Sequence, residues 1–391
     1  MLAAILSVCL SADHAVIRGV YVDHGVTLQS AKYVDYDVSR AITRRIASVP
    51  SAANLLWITN LPDDPAVIGK YVTDARARGM EIVAGSGRWY AYRDRAGEQF
   101  SRIRRLHQDL PETSRPWRWS LGDETKLDAL DDLRAIADQC AAAGIPTTMV
   151  QVPEYHQRTL DTLQARLPIV ACDVYPSRYP GLGTSDNIAW AKAEYPAIVR
   201  RSLTAGVGPL VMTQAFGDAS NFAMPSPACV RWQVWSAVAA GSKGAVVFAH
   251  GVPWALPDGS PASMVDPRTE TLTTQGDAVA ATFARVKAIE TRLAGATIDP
   301  APQWGSVGLR GDCAAIFRPT TGPRLLIVVS DPDAARVRTL KVTLPGVSAA
   351  SPLAGSTGAT IQAWPWPWSI WLPTTLQIAI TPGEAWIGEI R

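Results

Sequence analysis

Residues Leu127–Gln151, LDALDDLRAIADQCAAAGIPTTMVQ, decide the reading of the fold. Leu127, Leu130, Leu133, Ala137 and Cys140 recur at helical spacing and mark one buried face. Gly144 follows, where a helix C-terminus needs a left-handed residue. Pro146–Gln151 is then a short apolar strand. The same helix–glycine–strand order recurs at Gly79, Gly206 and Gly241.

Working outward, strands are predicted over Ile17–Asp23, Asn54–Asn60, Met80–Gly85, Trp117–Gly122, Pro146–Gln151, Ile169–Asp173, Leu210–Gln214 and Gly244–His250. Helices are predicted between them, over Asp35–Ser48, Pro65–Arg78, Gly97–Gln108, Leu127–Ala143, Tyr155–Arg166, Asn187–Ala205 and Pro227–Ala240, with Gly276–Leu293 after the last strand. Strict alternation implies a parallel sheet, and eight repeats imply closure into a (β/α)8 barrel. An open doubly wound sheet is the runner-up, but no G-x-G-x-x-G follows the first strand.

After Gly295 the helices stop. Ser306–Leu309, Cys313–Phe317, Leu325–Ser330, Thr339–Leu344, Leu376–Ile380 and Ala385–Ile390 read as strands of a small antiparallel β-sandwich. The Ser-, Gly- and Ala-rich stretch Ala349–Gly358 reads as a mobile loop. The expected division is a possible signal peptide over 1–15, a barrel over 16–297 and a sandwich over 298–391. Residues 364–371, WPWPWSIW, alternate Trp and Pro, and are expected to seal the sandwich against the barrel.

The chain has 391 residues, 18% charged and 47% hydrophobic, so a disordered chain is excluded. Its formal charge of +2 argues against a nucleic-acid partner held by phosphate neutralisation. The apolar run Leu2–Leu10 is too short to span a bilayer, and no membrane span is expected elsewhere. With Ser11-Ala12 behind it, that run favours a secretory signal, hence a secreted or periplasmic protein; without cleavage, a cytoplasmic one. Cys140, Cys172, Cys229 and Cys313 are scattered singly and define neither a disulfide framework nor a zinc site.

A barrel of this kind carries its site at the C-terminal strand ends. Those ends read Asp23-His24, Asn60, Arg88-Trp89-Tyr90, Asp123-Glu124, Gln151, Asp173 with Tyr175, Gln214 and His250. The opposite ends are mostly Gly, Pro and apolar. Glu124 is a poor helix cap, whereas Asp123 or Thr125 suits capping of the next helix. Asp173 ends an apolar strand, either as a second reactive carboxylate or as a brace to His250, Arg178 or backbone. Two carboxylates in one cavity suit glycoside cleavage, one protonating the leaving oxygen and the other attacking or activating water. Trp89, Tyr90, Tyr175, Tyr179, Phe216 and Trp254 offer faces for stacking on a sugar, and Asp23, His24, Asn60, Arg88, Gln151, Gln214 and His250 offer polar contacts. His24 and His250 stand alone, so no metal is expected; no G-x-S-x-G occurs, and no cofactor is implied.

Trp119-x-x-Gly-Asp-Glu124, Asp173-Val-Tyr-Pro176, Gln214-Ala-Phe-Gly217 and the Ala/Gly-rich Arg231–Phe248 segment together resemble the glycoside hydrolase-type TIM barrels. The resemblance covers most of the chain without fixing a family. It implies a carbohydrate substrate, Glu124 as the acid/base after the fourth strand, and Asp173 as nucleophile or base, as in α-galactosidase-like barrels. One departure stands out: many retaining members carry a nucleophilic Glu after the seventh strand, where this chain has Gln214. Substrate-assisted or inverting cleavage, or a carbohydrate-binding barrel without catalysis, therefore stay open.

Overall fold

The computed structural model describes residues 16–25, 37–85, 96–163, 166–178, 186–218, 220–252, 254–299, 303–304, 311–344, 347–353, 355–356, 359–362 and 374–391. The expected signal segment 1–15, the strand Ser306–Leu309 and the Trp364–Trp371 cluster lie outside them.

Eight parallel strands close into a barrel: β1 (Ile17–Asp23), β2 (Leu55–Thr59), β3 (Glu81–Ala84), β4 (Arg118–Ser120), β5 (Thr147–Gln151), β6 (Ile169–Val174), β7 (Gly208–Gln214) and β8 (Gly244–Phe248). Closure is direct, Ile17 to Val20 of β1 pairing with Gly244 to Val247 of β8. Helices α1 (Val38–Ala47), α2 (Pro65–Arg76), α3 (Ala96–Asp109), α4 (Leu130–Ala142), α5 (Pro153–Leu163), α6 (Asn187–Thr204), α7 (Pro227–Ala239) and α8 (Thr274–Leu293) form the outer ring. The expected barrel strands and helices are all present, with ends displaced by a few residues. The stretch Leu127–Ala129 is a separate 3₁₀ turn ahead of α4.

Strand alternation sorts the barrel into two cores. Ile17, Tyr21, Leu55, Trp57, Val150, Ile169, Ala171, Leu210, Met212 and Val246 point inward and fill the interior. Val20, Val22, Leu56, Ile58, Met149, Val170, Cys172 and Val247 point outward against the helices. Gly144 and Gly241 both take the left-handed conformation expected, at φ 68° and 89°. Gly144 has open space around it, so only its backbone demands glycine; a Cβ on Gly241 would also strike Ile298.

Beyond α8 two antiparallel sheets stack. One holds β9 (Thr297–Asp299), β11 (Cys313–Arg318), β12 (Arg324–Val329), β14 (Ala350–Pro352) and β17 (Ala385–Ile390). The other holds β10 (Gln303–Trp304), β13 (Arg338–Leu344), β15 (Ala359–Gln362) and β16 (Thr374–Ile380). The stretch expected as a mobile loop therefore supplies β14, paired with β17 through Ala350↔Ile390. Between the sheets lie Leu326, Val328, Leu340, Val342, Leu376, Ile378 and Trp386.

α7 explains how the two parts meet. It has no polar face: Val230, Trp232, Gln233, Val234, Trp235, Ser236 and Val238 are all buried. A helix apolar all round must be covered on both sides. The barrel covers one side; β11 and β12 cover the other, where Trp232 Nε1 donates to the Gly311 carbonyl at 2.7 Å. Arg231 and Arg285 both reach Glu384, at 2.8 and 2.6 Å. We expect Trp232→Ala to lower stability in chemical denaturation by about 3–5 kcal/mol, the cost of a large buried aromatic. A loss below about 1 kcal/mol would remove this contact from the docking of the two parts.

Candidate active site at the barrel mouth

The strand tips converge on a group of acids. Asp173 ends the inward row Ile169, Ala171, Asp173 of β6 and is only 4% exposed. Its Oδ1 has no hydrogen-bond partner among the described residues. Burial, then the nearby charges of Asp123 and Glu124, push its carboxyl well above the usual aspartate range. Glu124 is positioned to accept a hydrogen bond from that protonated acid, and the Tyr175 hydroxyl faces it as well.

Glu124 reaches this place through a backbone few residues adopt. Its φ is +50°, left-handed for a residue with a Cβ, and its N–H is anchored on the Val150 carbonyl at 3.2 Å. Such strain persists only where the surroundings enforce it, and it clusters at functional sites. Neither Asp123 nor Thr125 caps the following helix: Lys126 precedes the 3₁₀ turn and Ala129 precedes α4, both without a side-chain cap bond. The capping explanation for these polar residues thus falls away. Asp123 accepts instead from the Tyr21 hydroxyl at 2.8 Å.

The remaining strand-end residues divide. Asp23 accepts from the Gly25 N–H at 2.7 Å and from Asn60 Nδ2 at 3.0 Å, so those two tips are tied together. Asn60 is exposed, with φ +56°. Trp254 is 41% exposed while its Nε1 donates to the Gly217 carbonyl at 2.7 Å, which pins the indole and leaves a face open. Tyr175 belongs to an apolar wall with Phe216, Phe222 and Phe248, its ring meeting Phe222 at 90° and 5.7 Å.

Four other expected contacts have their polar atoms engaged within the protein. Gln214 Nε2 donates to the carbonyls of Ser177, Phe216 and Ala223, and its Oε1 accepts from the Ser177 N–H. Gln151 donates to the Thr125 carbonyl and the Thr159 hydroxyl, beside α5 rather than in the barrel interior. His24 faces Tyr71 of α2, its Nδ1 3.0 Å from the hydroxyl. His250 lies between Arg45 and Ser48 of α1 and its end, so it is no brace for Asp173. Arg45 can only donate, so His250 Nδ1 accepts; the proton sits on Nε2, facing Ser48 Oγ. Burial first, and the Arg45 charge second, hold this imidazole neutral. Arg88, Trp89, Tyr90 and Tyr179 lie outside the described residues.

Sequence reasoning missed three features: the Tyr21–Asp123 bond, the left-handed Glu124, and the Phe222 and Phe248 rings that join Tyr175 and Phe216 in one wall. Tyr21 was readable, because it shares strand parity with Ile17 and Asp23. Among the described residues no group of three or more His, Cys, Asp or Glu is arranged to hold a metal ion. No helix of the described residues is long and apolar enough to cross a membrane. A groove of about 590 Å³ lies elsewhere, between α5 and α6, lined by Gln157, Asp161, Arg200 and Arg201.

No family model and no curated protein matches the chain. Solved structures do match its architecture. A glycoside hydrolase family 5 protein from Bacteroides vulgatus aligns with TM-score 0.62 at 13% identity, covering 95% of this chain and 88% of that one. Amy13B of Eubacterium rectale aligns with TM-score 0.56 at 8% identity, covering 97% of both. The GH51 arabinofuranosidase of Xanthomonas axonopodis pv. citri gives 0.51 at 12%, covering 90% and 89%. The fold is therefore one shared with glycoside hydrolases, barrel and appended sheets together, with no individual family assigned.

Proposed function

We propose that the chain is a glycoside hydrolase whose reaction is carried by Glu124 and Asp173. The observation that carries the reading is Asp173: a buried acid at a strand tip, held protonated by its surroundings, with Glu124 in position to take its proton. In the empty site the proton rests on Asp173. With a glycoside bound it passes to Glu124, the exposed member, and from there to the leaving oxygen. Asp173 is then ionised beside the anomeric carbon. Its carboxylate is costly in the free protein but is stabilised once oxocarbenium charge develops, so the interaction strengthens in the transition state. Water that completes hydrolysis returns a proton to Glu124. Carboxyl groups within hydrogen-bonding reach stand nearer the roughly 5–5.5 Å of a retaining pair than the roughly 6.5–9.5 Å that gives an inverting pair room for its water, and a small separation on substrate binding would reach the retaining value.

A second reading is a carbohydrate-binding barrel without catalysis. Gln214 favours it, standing where a retaining nucleophile is common and engaged with three carbonyls. A panel of aryl glycosides and oligosaccharides separates the two. Hydrolysis of one, with first-formed product of unchanged anomeric configuration by NMR, is the expected result; binding throughout without cleavage would select the second. On the cleaved substrate, kcat/KM should fall as pH rises through the value at which Asp173 loses its proton in the free protein. That limb should lie above the ordinary aspartate range, because the Asp173 carboxyl is raised. A limb at the ordinary aspartate value would remove Asp173 from the pair.

A further inference from the structure

We infer that Arg178 is the recognition point for an anionic substituent, a carboxylate or sulfate, on the sugar that enters this mouth. The inference deepens the proposed function in naming a sugar ligand, but does not depend on cleavage.

Arg178 lies in the segment that leaves β6, shortly after Asp173 and Tyr175. It is half-buried. Its guanidinium carbon stands 5.3 Å from the Phe222 ring centre and 6.0 Å from that of Trp190 in the first turn of α6. Two aromatic faces thus hold the cation in place. Among the described residues, no carboxylate pairs with it and no oxygen accepts a hydrogen bond from it. The contrast with other arginines is direct: Arg102, Arg201, Arg231 and Arg285 each meet a carboxylate. A guanidinium carries five N–H donors at its edge, and stacking on rings occupies only its faces. Arg178 therefore keeps a fixed fork of donors of the shape that a carboxylate or sulfate matches with two parallel bonds.

The surroundings say where such an anion can sit. Asp23, Asp123 and Glu124 make the mouth acidic, so an anion placed among them would be repelled. The rings of Tyr175, Phe216 and Phe222 form one cluster that meets the acids through Tyr175, beside Asp173, and meets Arg178 through Phe222. Phe222 touches both sides, its ring 5.7 Å from Tyr175 and 5.3 Å from the guanidinium. A sugar can thus approach the acids with its neutral part while its charged substituent stays across the aromatic wall. A neutral glycan would leave the fork unused.

The test is isothermal titration of the full chain and of Arg178→Gln with three sets of oligosaccharides: uronate-containing, sulfated, and the uronate set after carboxyl reduction. One acidic set should bind the native chain, and Arg178→Gln should weaken it roughly 10- to 100-fold, the usual worth of charged hydrogen bonds. The reduced set should bind both proteins equally. Arg178→Lys should recover only part of the loss, because it keeps the charge and loses the fork. The set that responds identifies carboxylate or sulfate. Equal acidic binding by native chain and Arg178→Gln, preference for the reduced set, or no binding by either acidic set overturns the inference. Thermal melting of both variants guards against a folding effect; should Arg178→Gln not fold, the Arg178→Lys result decides. Acidic binding through Arg178 without cleavage would leave this inference standing and sink the hydrolase. Cleavage of neutral glycans, indifferent to Arg178→Gln, would do the reverse.

Discussion

Glu124→Gln should lower kcat on a cleaved glycoside by about 10²–10⁴-fold, the usual contribution of a positioned acid/base. The amide keeps the size of the side chain and the hydrogen bond to a glycosidic oxygen, but has no proton to deliver. KM should change little, since the loss falls on an interaction made in the transition state. The left-handed backbone at φ +50° is held by the Val150 carbonyl and is no more strained for Gln than for Glu, so folding should be preserved. The effect should depend on the leaving group. An aryl glycoside with an acidic phenol departs without protonation and should lose far less rate than an alkyl glycoside or an oligosaccharide. An equal loss on both classes would point to damaged binding, and full activity on the alkyl glycoside or oligosaccharide would dismiss Glu124 as the acid.

The sequence made the barrel readable because both of its periodicities are regular: helical faces such as Leu130, Leu133 and Cys140, and glycines at the helix ends. The tips were readable as a set, less so in direction. Strand parity places His24 with Val20 and Val22, and Gln151 with Met149, all facing the helices. Both residues were thus assignable to the outer face from alternation alone. His250 was not, because by parity it falls with the inward Val246 and yet the chain past β8 carries it to Arg45 and Ser48. Gln214 has the inward parity of Leu210 and Met212, but its partners come from the segments after β6 and β7, far apart in the chain. The grouping of Asp123, Glu124 and Asp173 depends on a backbone turn at Glu124 that no local pattern announces.

Asp173→Asn should stabilise the protein while abolishing activity. In the folded chain this carboxyl is raised above its unfolded value by burial and by Asp123 and Glu124. As pH rises past the ordinary aspartate range the unfolded chain gives up this proton and the folded chain keeps it. The native state then binds more protons than the unfolded one, so stability falls through that window and stays reduced up to neutrality. Asparagine has no proton to lose, and its amide can donate to Glu124 as the protonated acid does. The expected gain at neutral pH is about 1–3 kcal/mol, comparable to relieving one unsatisfied buried polar group, and a few degrees in Tm. The gain should shrink toward zero as pH is lowered to the range where free aspartate is protonated. Activity should fall to background, since an amide neither attacks the anomeric carbon nor balances its charge. A stability gain with the predicted pH dependence and no activity is what an acid retained for chemistry at a cost to folding requires. A variant less stable at every pH would instead make Asp173 a structural brace of the strand tip, leaving Asp123, already bound by Tyr21, as the next partner for Glu124.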